Sequence, residues 1–95
     1  MTAYLIADID VHDPDVYREY TALVPGTIAA FGGRFIVRGG QLETLEGDWR
    51  PQRLVVAEFP SSGHARDWYA SPDYLAAMAI RHRSSSGSLV LVEGS

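Results

Sequence analysis

The chain has 95 residues, 46% of them hydrophobic, which is enough for one core and too little for two, so a single domain over residues 1–95 is expected. A net charge of −4 argues against general nucleic-acid binding, which needs a basic surface, and the absence of cysteine removes disulfides, thiolate metal sites and a cysteine nucleophile. No basic segment precedes an apolar run, and Asp8 and Asp10 interrupt the first one, so neither a signal peptide nor a membrane span is read and a cytoplasmic location is expected.

Residues 3–11 alternate and are rich in β-formers, which predicts a strand with Leu5, Ala7, Ile9 and Val11 on one face and Tyr4, Ile6, Asp8 and Asp10 on the other. Asp13-Pro14-Asp15 is a helix start: a capping carboxylate, a proline suited to the first turn and an acid at the positive end of the dipole. A helical stripe follows through Val16, Tyr17, Tyr20, Leu23, Val24, Ile28 and Phe31, with Pro25-Gly26 predicted to kink or break it and Gly32-Gly33 to end it. Residues 34–38 form a second strand that exits at Gly39-Gly40. A small strand is expected around Leu42 to Leu45, before a turn at Glu46-Gly47-Asp48. Residues 52–59 are the third main strand, stopped by Pro60.

Ser61 caps a short helix, and Ser71-Pro72-Asp73 starts another whose apolar stripe is read as Leu75, Met78, Ala79 and His82. Ser84-Ser85-Ser86-Gly87 reads as a loop and Leu89 to Val92 as the last strand. This order predicts an α+β, ferredoxin-like two-layer sandwich, βαββαβ with a split second helix and an antiparallel sheet. Its second sheet face would carry Tyr4, Ile6, Asp8, Ile36, Arg38, Leu54, Val56, Glu58, Leu89 and Leu91. A monomer seldom exposes so large an apolar patch, so a homodimer through the sheet face is expected.

The chain resembles the domain of unknown function 1330 family, within the dimeric α+β barrel superfamily. The resemblance rests on Asp13-Pro14 with Tyr17 and Tyr20, Gly32-Gly33-Arg34-Phe35, Arg38-Gly39-Gly40, Glu46-Gly47-Asp48-Trp49, Glu58-Phe59-Pro60, Ser71-Pro72-Asp73-Tyr74, Arg81 and Glu93-Gly94. It spans residues 4–94 and implies a ferredoxin-like protomer that dimerises through its sheet. It implies no function, because relatives in the superfamily range from cofactor-free monooxygenases and isomerases to haem-degrading and stress-responsive proteins.

Strand parity puts Arg38 on one face with Asp8 and Glu58. That cluster is either a structural ion-pair network or a site in which Arg38 holds an acidic or carbonyl-containing ligand and Glu58 or Asp8 moves a proton. Glu46 and Trp49 lie in a loop where a ligand or a partner subunit would meet them. Tyr74 and Arg81 sit about two turns apart on one helix. Tyr74 is a candidate acid or orienting donor and equally a core residue with its hydroxyl at the rim; Tyr17 and Tyr20 read as core. The ligand-binding candidates are thus Arg38, Trp49, Glu46, Tyr74 and Arg81, and the catalytic ones Glu58, Asp8 and Tyr74.

His12, His64 and His82 match no short zinc spacing, no Gly-x-Ser-x-Gly elbow is present, and Gly39-Gly40 lacks the form of a phosphate loop, so neither metal nor cofactor is expected. Two functions remain open. One is a dimer that binds a small organic metabolite, and the other is a cofactor-independent isomerase or monooxygenase-like enzyme.

Overall fold

The computed structural model describes residues 1–95. In chain order it has β1 (Ala3–Val11), α1 (Pro14–Ala29), β2 (Arg34–Arg38), β3 (Arg53–Phe59), α2 (Ser62–Ala70), α3 (Pro72–Ser84) and β4 (Ser85–Glu93). The strands form one antiparallel sheet in the order β2-β3-β1-β4, and the helices pack on one of its faces. This is the ferredoxin-like α+β layout with a split second helix. No helix is long and apolar enough to cross a membrane.

The capping residues act as their chemistry dictates. Asp13 Oδ1 accepts from the Val16 amide at 3.2 Å, Ser61 Oγ from the His64 amide at 3.1 Å and Ser71 Oγ from the Tyr74 amide at 3.2 Å. Each satisfies a donor that the first helical turn leaves free.

Sheet register assigns the faces. Ala7 lies opposite Val55 and Leu89, and Ile6 lies opposite Val56 and Val90. The inner face, with Ala7, Ile9, Ala57 and Phe59, meets Tyr17, Tyr20, Val24 and Ile28 of α1 in one buried cluster. Trp68, Phe59 and Tyr74 stack within it, with the Trp68 and Tyr74 ring centres 4.0 Å apart.

Several expectations are corrected. Helix α1 runs unbroken through Pro25. Val24 and Ile28, buried on either side of it, anchor both halves to the core, and the Thr27 hydroxyl donates to the Val24 carbonyl at 2.8 Å. No strand forms at Leu42 to Leu45; residues 40–52 carry no ladder. The run is short, and Leu45 stands 88% exposed, so little apolar burial favours a ladder there.

The serine loop is absent: Ser85 is already paired with Val11, and the Ser84 and Ser85 hydroxyls donate back to the Ile80 and Arg81 carbonyls. Leu89 and Leu91 belong to the inner face, and Val90 and Val92 to the outer one, because pairing with β1 fixes the phase of β4. Helix α3 is rotated about one residue from expectation. It buries Tyr74, Ala77, Arg81 and Ser84 and leaves Leu75 exposed.

Candidate functional site

Beneath α1 runs a narrow slot of about 30 Å³, walled mainly by apolar side chains of the inner sheet face, α1 and Trp68. It adjoins a wide cleft of about 550 Å³ at the sheet end, and Tyr17, Thr21, Arg38 and Arg53 line both. Slot and cleft are thus neighbours divided by these four side chains.

The polar groups of this site are mostly arginines, at graded depths. Arg38 is exposed at the mouth, Arg53 is half-buried beside it, and Arg81 lines only the slot and is 6% exposed. A β-bulge delivers Arg38. The ladder pairs Phe35 with Ala57 and then Val37 with Val56, so Ile36 is the extra residue and Arg38 faces Val55 on the inner side. The Arg38 guanidinium lies 4.7 Å from the Phe35 ring centre, and that of Arg53 lies 5.8 Å from the Tyr17 ring centre.

Gly39 makes room for Arg53. Its backbone φ is +69°, a region that favours glycine, and a Cβ there would overlap the Arg53 guanidinium.

None of the three arginines has a carboxylate partner. The ion pairs of the chain are Arg18–Asp15 and Arg34–Glu58, and no acidic residue lines the slot or the cleft. Arg81 donates to His82 Nε2 at 3.2 Å, which leaves the ring proton on Nδ1, yet its own Nε is buried with no partner. Arg53 Nε is also buried and unpartnered. Buried polar groups are nearly always hydrogen-bonded, and an uncompensated buried cation costs several kcal/mol. Two unsatisfied guanidinium donors beside one slot are therefore an arrangement suited to an anion.

Tyr20 also lines the slot, and its hydroxyl shares a 3.1 Å hydrogen bond with that of Tyr74. Burial, reinforced by Tyr74, pushes the Tyr20 phenol well above its ordinary range, while nearby Arg81 acts in the opposite sense. Tyr20 is thus a neutral hydrogen-bonding group in the physiological range.

The sequence candidates are dispersed. Arg38 is separated from Asp8 and Glu58 by the sheet: the bulge turns it inward, while Asp8 and Glu58 lie on the outer face. Glu58 accepts from Arg34 Nε at 2.5 Å, and Asp8 Oδ2 accepts from Trp49 Nε1 at 2.8 Å. The cluster expected from parity is therefore not assembled. Trp49 lies against the outer-face Asp8 and does not line the slot, and Glu46 is exposed on its turn.

Tyr74 is fully buried in the aromatic core and does not line the slot. Of the five ligand-binding candidates, Arg38 and Arg81 come together. Arg53 was missed, because a charged residue at a strand start reads as solvated. Its signal was parity with Val55 and Ala57 on an inward-facing strand.

No group of three or more His, Asp or Glu side chains is placed to hold a metal ion. His12 Nε2 and His64 Nδ1 bond instead to the neighbouring hydroxyls of Ser86 and Ser61.

A four-stranded antiparallel sheet with helices on one face, enclosing a slot between the layers, places the chain among the ferredoxin-like α+β proteins. A family model described as a domain of unknown function (DUF1330) matches residues 2–95, and the chain belongs to that family. No curated protein matches it.

Among solved structures it is similar to RPA0582, a protein of unknown function from Rhodopseudomonas palustris, with 18% identity, a TM-score of 0.77 and coverage of 99% of this chain and 82% of that one. It is also similar to SnoaB, a cofactor-independent oxygenase from Streptomyces nogalater, with 15% identity, a TM-score of 0.68 and coverage of 99% and 93%. Rv0793 from Mycobacterium tuberculosis shares 17% identity at a TM-score of 0.59, with 100% and 96% covered. At these identities the likeness is one of fold.

Proposed function

We propose that this protein is a homodimer, joined through its outer sheet face, that binds a small organic acid in the arginine-lined cleft beside the slot of each protomer. The observation that carries the ligand reading is the trio Arg38, Arg53 and Arg81 around an apolar slot with no acidic residue in its lining. In a chain of net charge −4, such a local positive site draws anions to one place, and its apolar walls favour an organic body over an inorganic ion. The dimer reading rests on the outer face, where Val37, Val90 and Val92 are 38%, 55% and 47% exposed beside half-buried Tyr4, Ile6, Leu54 and Val56.

The test is thermal unfolding with benzoate and with its neutral isostere benzamide. Benzoate at 100 times its dissociation constant should stabilise the fold by about 2.7 kcal/mol, while benzamide has no effect. Equal responses to the two would remove the anion reading.

A second reading is cofactor-independent catalysis. It draws on the fold shared with SnoaB, which is named a cofactor-independent oxygenase, and on the power of guanidiniums to stabilise an enolate. It lacks a base in the slot, since Asp8 and Glu58 lie across the sheet and Tyr20 is held neutral. Binding is therefore the reading the geometry supports best.

A further inference from the structure

A second concavity lies on the helix side of the sheet and shares no lining residue with the arginine-lined cleft. It is a groove of about 340 Å³ between α2 and β4, walled by Leu5, Leu89 and Leu91 of the inner sheet face and by Arg66, Trp68 and Tyr69 of α2. The fold leaves it open for two reasons. β4 is the last strand of the sheet, so no further strand lies beyond Leu89 and Leu91. Helix α2 ends after nine residues, because Ser71 turns to extended backbone and caps α3.

The groove is pre-formed on its helical side. Trp68 Nε1 donates to Thr27 Oγ1 at 3.0 Å, and the indole packs 5.4 Å from the Phe59 ring centre, so this wall is fixed. Tyr69 follows at 6.1 Å between ring centres and stays 44% exposed. Of the lining, only Val90 belongs to the outer sheet face, so the groove is separate from the dimer surface proposed above.

Seven of the eight lining residues are hydrophobic, and the eighth is Arg66. Arg66 has no ion-pair partner. Its Nη1 donates to the Ser62 hydroxyl at 3.4 Å, and Ser62 in turn donates to Glu93 at 3.4 Å; neither Glu93 nor Asp67 lines the groove. A bare hydrocarbon in this groove would leave the guanidinium without a counter-charge, and an inorganic anion would leave the apolar walls wet. An apolar body with one negative head is complementary to both.

We infer that the groove binds a free medium-chain fatty acid, its chain along Leu5, Leu89, Leu91 and Trp68 and its carboxylate on the Arg66 guanidinium. The volume falls within the range of small-molecule sites, roughly 300–1,000 Å³. Chain burial supplies most of the affinity, so each added methylene should tighten binding about 3-fold until the groove is full. The Arg66 contact is exposed, and it selects the head group more than it adds affinity.

The experiment is a fluorescence titration of the full-length Trp49→Phe variant, in which Trp68 is the only tryptophan. The titrants are hexanoate, octanoate and octanamide, the neutral counterpart of octanoate. Trp68 emission should change and saturate, with octanoate about 10-fold tighter than hexanoate and at least ~3-fold tighter than octanamide. Adding Arg66→Gln should remove the preference for octanoate over octanamide and leave the effect of benzoate on thermal unfolding unchanged.

A preference for octanoate that survives Arg66→Gln would overturn the proposal, and so would equal binding of hexanoate and octanoate. A Trp68 signal that depends on protein concentration and ignores octanoate would assign the groove to a second copy of the chain, and it too would overturn the proposal.

Discussion

Arg81 is the residue on which stability and binding pull apart. Its guanidinium is buried without a carboxylate, so the unliganded fold carries an uncompensated charge. Arg81→Met keeps the volume and removes the charge, and it should stabilise the unliganded protein by about 1–2 kcal/mol in urea denaturation while weakening its response to benzoate. A destabilised variant would mean that Arg81 already has a structural partner.

Tyr20 makes the opposite kind of prediction. Its phenol is raised from an ordinary value of 10.0, because burial and Tyr74 disfavour the phenolate. The group thus contributes stability that is fully present below pH 10, where the unfolded chain also keeps its proton. Above that pH the unfolded chain loses the proton and the fold does not, so stability falls by about 1.4 kcal/mol per pH unit on this account. Tyr20→Phe should remove that part of the alkaline slope and cost about 1 kcal/mol at neutral pH, because Tyr74 loses its hydrogen-bond partner. Urea melts at neutral and alkaline pH would show an unchanged slope in the variant if the account is wrong.

At the scale of elements, the bulge in β2 decides the site. Without Ile36 as an extra residue, Arg38 would share the outer face with Arg34, as its spacing suggested. Nothing in Arg34-Phe35-Ile36-Val37-Arg38 announces a bulge, since Ile36 is an ordinary strand former. The phase of β4 was hidden for a related reason: Leu89-Val90-Leu91-Val92 is apolar at every position, and only pairing with β1 distinguishes its faces. In α3 the stripe read as Leu75, Met78, Ala79 and His82 is one residue out of phase with the buried Tyr74, Ala77, Arg81 and Ser84.

The legible features were local: cap and proline at Asp13-Pro14 and Ser71-Pro72, alternation in β1 and β3, and glycine at the end of β2. Gly39 tests the element that follows the bulge. Gly39→Ala adds a side chain in a left-handed backbone region and pushes on the Arg53 guanidinium. It should cost about 1–2 kcal/mol and weaken benzoate binding together. Loss of stability with binding intact would separate Arg53 from the site.

For the whole molecule, two faces of one sheet do different work. The inner face builds the core and the slot; the outer face leaves an apolar surface interrupted by Asp8, Glu58 and Arg34. The element order made this two-layer arrangement legible, because a helix layer covers one side of such a sheet and leaves the other open. The location of the arginine-lined slot was not legible: apolar residues marked both faces, and Arg38 was assigned to the outer one with Asp8 and Glu58, which do lie there. Val90→Asp places a charge on the outer face at a position 55% exposed in the protomer. If a second copy covers that face, sedimentation equilibrium should show the variant shifted to monomer with its helical and strand content unchanged. An unchanged oligomeric state would place any interface elsewhere.

The measurement that bears most directly on the arginine-lined slot is the arginine Nε–H signals in a nitrogen–proton correlation spectrum of the wild-type chain during titration with benzoate. The account predicts that the signal of Arg53, whose Nε is buried and unpartnered beside the cleft, shifts and saturates together with binding heat, while those of exposed Arg66 and Arg83 stay in place. A titration in which Arg53 does not respond, or responds no more than Arg66 and Arg83, would contradict it.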